Sequence, residues 1–227
     1  MFAAMRSERM EALHLYSDPA TGLEAVVAIH NTKLGPALGG CRYLAYNSLD
    51  DALADAMRLA RGMSYKAALA GLEQGGGKAV ILRQPHVADR AALFEAFGRC
   101  IESLRGGYIT AVDSGTSSAD MDCIAQHTAH VTSTTHAGDP SPHTALGVLA
   151  GMRSAVNARL GQSSLAGVRV VLQGLGNVGY ALAELLQAEG AELLVADLDQ
   201  GKVRLAAEEL GAQPLAPEAV YDTPCDL

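Results

Sequence analysis

Two lysines, Lys66 and Lys78, lie twelve positions apart in the stretch GMSYKAALAGLEQGGGKAV, and Asp113 follows the short run YITAV ahead of Ser114-Gly115-Thr116. Lys78 comes straight after three glycines and opens the apolar run Ala79-Val80-Ile81-Leu82. Consecutive glycines cost backbone entropy and add no side chain to a core, so the expectation is a sharp turn or a close approach, with Lys78 at the mouth of a strand. A lysine part-buried at such a mouth loses some of its preference for charge, and its neutral amine becomes available as a base. A neighbouring ammonium group pushes in the same direction; a neighbouring carboxylate opposes it. A plainer alternative stands beside each reading. The glycine-rich loop could carry two solvated lysines, and Asp113 could be a turn or helix-cap residue.

A second chemistry is written further along, in Gln173-Gly174-Leu175-Gly176-Asn177-Val178-Gly179. A lone GxGxxG is weak. Here it sits between a buried-strand run, Val168 to Leu172, and an apolar-striped helix, and Asp197 stands 23 residues after Gly174 at the end of the next strand, Glu192 to Ala196. That context is the dinucleotide fingerprint. Gly174 allows the tight turn, and Gly176 lets a pyrophosphate reach the helix N-terminus that Asn177 and Val178 open. Gly179 lets helix pack on strand. Asp197 would accept from a ribose 2′-hydroxyl, which favours NAD over NADP, with Asp199 a nearby competitor for that role.

The elements that must position these residues follow from periodicity and turn chemistry. Met10 to Tyr16 and Glu24 to His30 read as strands around an Asp-Pro and Gly turn. Leu34 to Arg42, LGPALGGCR, reads as too irregular for helix or strand, with Cys41 and Arg42 structural. Ser48 to Asp51 is a capping box opening a helix whose stripe leads toward the lysine segment, itself helix-like from Ser64 to Ala70. A strand follows Lys78, then a helix over about 88–105, a strand at Tyr108 to Val112, and a helix capped by Ser117 and Asp120. The polar stretch Val131 to His143 reads as an inter-domain linker, with a long helix from Thr144 to about Leu160. Strand ends in such α/β layouts are where ligands sit.

Composition narrows the classes further. With 227 residues, 49% apolar and 19% charged, two modest domains with real cores are expected. A net charge of −8 argues against nucleic acid or an anionic membrane as partner. No apolar run approaches the ~18 residues of a membrane span, and the N-terminus breaks into charge too soon for a signal peptide. Four cysteines show neither CxxC nor metal spacing, and His127 and His130 lack a ligand pattern around them, so reduced thiols, a cytoplasmic setting and no metal are expected.

GPALGGCR, RGMSYK, GLEQGGGKAVI, YITAVDSGT with SADMD, PSPHTALGV and QGLGNVG, in this order, resemble the glutamate/leucine/phenylalanine/valine dehydrogenases, most closely the leucine branch. The resemblance runs through essentially the whole chain. It implies an α/β substrate (dimerisation) domain, residues 1–143, followed by a Rossmann-type NAD-binding domain, residues 144–227. It also implies an oligomer of identical chains. Lys78 would be the catalytic lysine, promoting attack of water on an imine, and Asp113 would shuttle protons at the amino group. Lys66 would bind the substrate α-carboxylate with help from the Gly39-Gly40 backbone, and Thr144 would lie near the nicotinamide amide. Glutamate-type members carry a lysine where this chain has Leu38, and Ala111 keeps the pocket small as in leucine-type members.

The expected activity is therefore NAD-dependent, reversible oxidative deamination of a branched-chain or aliphatic L-amino acid to the 2-oxo acid and ammonia. Phenylalanine- or valine-preferring activity, or a non-catalytic nucleotide-binding module, are the alternatives. Family members are longer, so the chain is expected to stop inside the Rossmann unit, where a third buried strand should begin, leaving that domain incomplete.

Overall fold

The computed structural model describes residues 1–227, which divide into two compact units, Met1–Asp139 and Pro140–Leu227. The first unit is built on a five-stranded mixed sheet. Its strands are β1 (Ala12–Asp18), β2 (Leu23–Asn31), β3 (Ala37–Leu44), β4 (Gly75–Leu82) and β5 (Tyr108–Val112), in the spatial order β1-β2-β4-β3-β5. β1 and β2 form an antiparallel hairpin, β2 is antiparallel to β4, and β3, β4 and β5 run parallel.

Alternation along the strands sorts side chains onto two faces. Ala25, Val27, Cys41, Tyr43, Ala79, Ile81 and Tyr108 form one core with α3 (Arg90–Ser103) and α4 (Ser118–Ala125). On the opposite face Val26, Ala28 and Val80 pack against Ala52, Leu53, Ala56, Met57 and Ala60 of α2 (Leu49–Leu69). A short helix α1 (Phe2–Glu8) precedes the sheet, and Arg61 of α2 pairs with Glu8 at 2.7 Å.

Several expectations are revised. Leu34 to Arg42 is not irregular: its C-terminal part enters β3, a central strand of the sheet. The three glycines before Lys78 are strand, not turn, so Lys78 stands mid-strand in β4. Both corrections have one cause. The main chains around Gly39 and Gly77 come so close that a Cβ on Gly39 would collide with the Gly77 carbonyl. Glycine here serves close approach rather than a bend. The lysine segment is not a separate helix; α2 continues through it to Leu69. At the start of α2 Ser48 accepts from the Asp51 amide (3.1 Å), whereas the reciprocal box is complete at Ser117 and Asp120. The polar stretch from Val131 begins inside the first unit, where Val131 bridges Thr110, and the helix beyond it starts at Ser141 rather than Thr144.

The second unit carries a parallel sheet in the order β6-β7-β8, from β6 (Arg169–Gln173), β7 (Glu192–Ala196) and the two-residue β8 (Gln213–Pro214). Helices α5 (Ser141–Leu160), α6 (Asn177–Ala188) and α7 (Gln200–Leu210) supply its core with Leu149, Val156, Leu182, Leu186, Val203 and Ala206. β8 is a two-residue, exposed strand on the β7 edge and is not the third buried strand expected near the end of the chain. The last residues instead bond to the other edge of β6, through Asp226 N–H to Arg169 O (2.8 Å) and Val171 N–H to Leu227 O (3.0 Å). No helix is long and apolar enough to cross a membrane.

Candidate active site

Because β3, β4 and β5 are parallel and in register, residues far apart in sequence arrive on one sheet face. Leu38 pairs with Gly76 and Ile109, and Gly40 pairs with Ala111. Alternation then puts Leu38, Gly40, Lys78, Ala111 and Asp113 on the face that α2 covers only in part. Gly40 cannot be larger: a Cβ there would lie 2.8 Å from Asp113 Cβ and 2.9 Å from its Oδ2. Tyr108, fully buried, donates to the Gly39 carbonyl (2.6 Å) and fixes the double glycine from the opposite face.

Lys78 is 6% exposed, and its Nζ donates to Asp113 Oδ2 in a direct ion pair. Burial is the largest influence on Lys78 and brings it down to about 8; the Arg42 and Lys66 charges act in the same sense, Cys41 and Asp55 against it. The Asp113 carboxylate in contact favours the ammonium form. At pH 8 a lysine of pKa 8 is about half neutral, whereas an unperturbed one is below about 1% neutral. Burial and the neighbouring cations thus work toward a neutral amine at Lys78, and the contact with Asp113 works against it.

The loop after β5 is tied down around Asp113. Its Oδ1 accepts from the Ser114 amide (2.6 Å), and its own N–H donates to the Thr116 hydroxyl (2.8 Å). The Tyr43 amide donates to the Ser114 carbonyl (3.0 Å). Arg90 clamps the far side, reaching the Gly115 carbonyl (2.8 Å) and both Asp120 oxygens (2.8 Å each) while lying over the Tyr43 and Phe94 rings. Burial would raise the Asp120 carboxyl, but the bonds from Arg90 and Ser117 outweigh it and hold it low.

Lys66 is exposed in the last turn of α2. What aims that turn is Gly76, where a Cβ would collide with the Ser64 amide and hydroxyl. The Ser64 hydroxyl in turn lies 2.7 Å from His30 Nδ1. Sequence reasoning missed Ser64, His30, Asp55 and Tyr46 and took Arg42 as structural. With β3 recognised as a strand, its two-residue period would have put Leu38, Gly40 and Arg42 on one face.

In the second unit Gly174 has φ +94°, and its N–H donates to Ala196 O (2.7 Å), joining the ends of β6 and β7. Gly176 is the N-cap of α6 with open space where a Cβ would be, and a Cβ on Gly179 would collide with the Gly174 carbonyl. Asn177, Val178 and Gly179 form the first turn, whose amides have no acceptor within the helix. Asp197, at the end of β7, accepts from the Asp199 amide (2.8 Å) and the Leu175 amide (2.6 Å), which hold its carboxyl below the usual range. Asp199 caps α7, accepting from Gly201 (2.9 Å). A glycine-lined helix N-terminus beside an ionised carboxylate suits a dinucleotide's pyrophosphate and ribose. Thr144 is exposed in the first turn of α5, its hydroxyl donating to Pro140 O (3.2 Å).

Residues 10–130 match the dimerisation domain of the Glu/Leu/Phe/Val dehydrogenases, and residues 139–206 match the Glutamate/Leucine/Phenylalanine/Valine dehydrogenase family. The leucine dehydrogenase of Geobacillus stearothermophilus is 48% identical over 231 residues, covering 100% of this chain and 63% of its own. The valine dehydrogenase of Streptomyces albus is 46% identical over 202 residues, covering 87% of this chain and 56% of its own. Among solved structures, L-tryptophan dehydrogenase from Nostoc punctiforme superposes with a TM-score of 0.71 at 37% identity, over 100% of this chain and 65% of that one. This chain belongs to the glutamate/leucine/phenylalanine/valine dehydrogenase family. It spans 63% of the length of the Geobacillus leucine dehydrogenase.

Proposed function

We propose that the protein catalyses NAD-dependent oxidative deamination of a branched-chain or other aliphatic L-amino acid, leucine foremost, to the 2-oxo acid and ammonia, and the reverse amination. The observation that carries this reading is the ion pair of buried Lys78 with half-buried Asp113, on the same sheet face as Leu38, Gly40 and Ala111.

Each residue has a part. Lys66 supplies a fixed cation for the α-carboxylate, supported by the Gly39-Gly40 backbone. Asp113 accepts and returns a proton at the substrate nitrogen. Lys78, neutral in part, takes a proton from the water that attacks the imine carbon. Leu38 and Ala111 line the side-chain end, where an apolar substituent gains about 1–3 kcal/mol by leaving water. Gly174, Gly176, Asn177, Val178 and Gly179 would hold the NAD pyrophosphate, Asp197 the adenosine ribose, and Thr144 the nicotinamide amide. Bound NAD supplies the hydride acceptor. Residues 1–143 thus act as substrate and dimerisation domain and residues 144–227 as nucleotide-binding domain, in a homo-oligomer; the dimerisation-domain match over residues 10–130 supports that assembly.

Lys78→Ala tests the reading. Deamination of L-leucine should fall about a thousandfold or more while NADH binding persists, since the nucleotide residues belong to the other unit. Turnover within a few-fold of wild type would overturn the role of Lys78.

A further inference from the structure

One cation on the catalytic face has no part in that scheme. Arg42 follows Gly40 by two residues on β3, so it shares the face of Lys78. Its Nη1 donates to Asp55 Oδ2 (2.7 Å), while its Nε lies 3.6 Å from Asp113 Oδ1, buried and without a hydrogen-bond partner. Asp55 has two further donors, Tyr46 Oη (2.8 Å) and Arg58 Nη2 (2.9 Å). Burial would raise the Asp55 carboxyl, but the Tyr46, Arg58 and Arg42 bonds together hold it low. An arginine needed only to satisfy Asp55 would be redundant there. Its fork instead spans two carboxylates, one on α2 and one beside Lys78.

We propose that Arg42 is a positioning residue for the deamination reaction: anchored by Asp55, it orients the Asp113 carboxylate and holds a positive charge on the face of Lys78. This inference rests on the Lys78–Asp113 reading and deepens it. The charged and titratable groups around Lys78 are Arg42 and Cys41 on β3, Asp113 at the end of β5, and Lys66 and Asp55 on α2. Of the side chains that lower Lys78, Arg42 has the largest effect, second only to burial itself.

The test reads Lys78 directly and needs no turnover. The chain has four lysines, Lys33, Lys66, Lys78 and Lys202, so a spectrum of protein labelled with ¹³Cε-lysine resolves few signals, and Lys78 is assigned by its loss in Lys78→Met. Titrated across the alkaline range, Arg42→Gln should move the Lys78 midpoint up by about half a pH unit or more. Asp55→Asn, which removes the carboxylate charge but keeps an amide oxygen to accept from Arg42, should move it down. Arg42→Lys keeps the cation but not the fork, so its midpoint should fall between wild type and Arg42→Gln. A purely structural role would loosen the site in both neutralising variants and shift both midpoints the same way, toward an ordinary lysine. An unchanged or lowered midpoint in Arg42→Gln, or a raised one in Asp55→Asn, overturns the proposal, and either variant decides if the other fails to fold. An amino-acid assay on the same samples separates the two claims. Full turnover with an unmoved midpoint defeats only the role of Arg42, whereas no turnover in wild type defeats the dehydrogenase reading.

Discussion

At the scale of single residues, the chemistry depends on where one amine sits. In water Lys78 would be almost wholly charged; in β4 it is enclosed by strands on either side and brought down to about 8. The sign of the consequence is fixed. In the proposed role the working base is the neutral amine, whose fraction grows with pH, so oxidative deamination should be weak near pH 6 and climb through the region of the lowered value to a plateau above it. A kcat/KM profile that is flat from about pH 6 to 10 would contradict Lys78 as the base. Asp197 sets the second residue-level expectation. Its two backbone donors keep it ionised at the end of β7, where it would repel a 2′-phosphate. NAD should be preferred over NADP by about a hundredfold or more, and Asp197→Ser should narrow that gap, read as kcat/KM for each cofactor. Equal use of both by the unaltered protein would remove Asp197 from this role. Both positions were singled out in the sequence: Lys78 follows three glycines and opens an apolar run, and Asp197 ends the strand run that comes after the glycine turn. Arg42 was not, since its meaning comes from Asp55 and Asp113, which the sequence places 13 and 71 positions away.

At the scale of elements, glycine carried opposite messages in the two units. Around Gly174 to Gly179 the spacing, the strand before and the helix after all agreed with a βα turn, and the structure has that turn. In the first unit Gly39, Gly40 and Gly75 to Gly77 looked like loops but are strands. The sequence shows that a side chain is missing; it does not show what occupies the vacated space. At Gly76 that neighbour is the backbone and hydroxyl of Ser64, the contact that seats the last turns of α2 on β4. Gly76→Val should therefore push α2 outward, costing about 1–3 kcal/mol in denaturant unfolding and raising the amino-acid KM as Lys66 shifts. A variant as stable as wild type with unchanged KM would show that α2 is seated by something else. The helix caps were easier to read, because Ser117 and Asp120 satisfy each other within four residues.

At the scale of the whole molecule, the order of elements was legible because hydrophobic period and turn chemistry are local. Sheet order was not. The β1-β2-β4-β3-β5 arrangement, with β3 inserted beside β5, depends on long-range pairing and is what gathers Leu38, Gly40, Lys78, Ala111 and Asp113. In the proposed reading the same gathering forms the substrate end of the site. Leu38 stands where a cation would be needed to meet a side-chain carboxylate, and burying an uncompensated carboxylate costs several kcal/mol. The most direct measurement is a panel of amino acids assayed with NAD on the whole protein and compared as kcat/KM. Leucine, isoleucine and valine should lead, with glutamate lower by about a thousandfold or more. Glutamate on a par with leucine would contradict the site as drawn here.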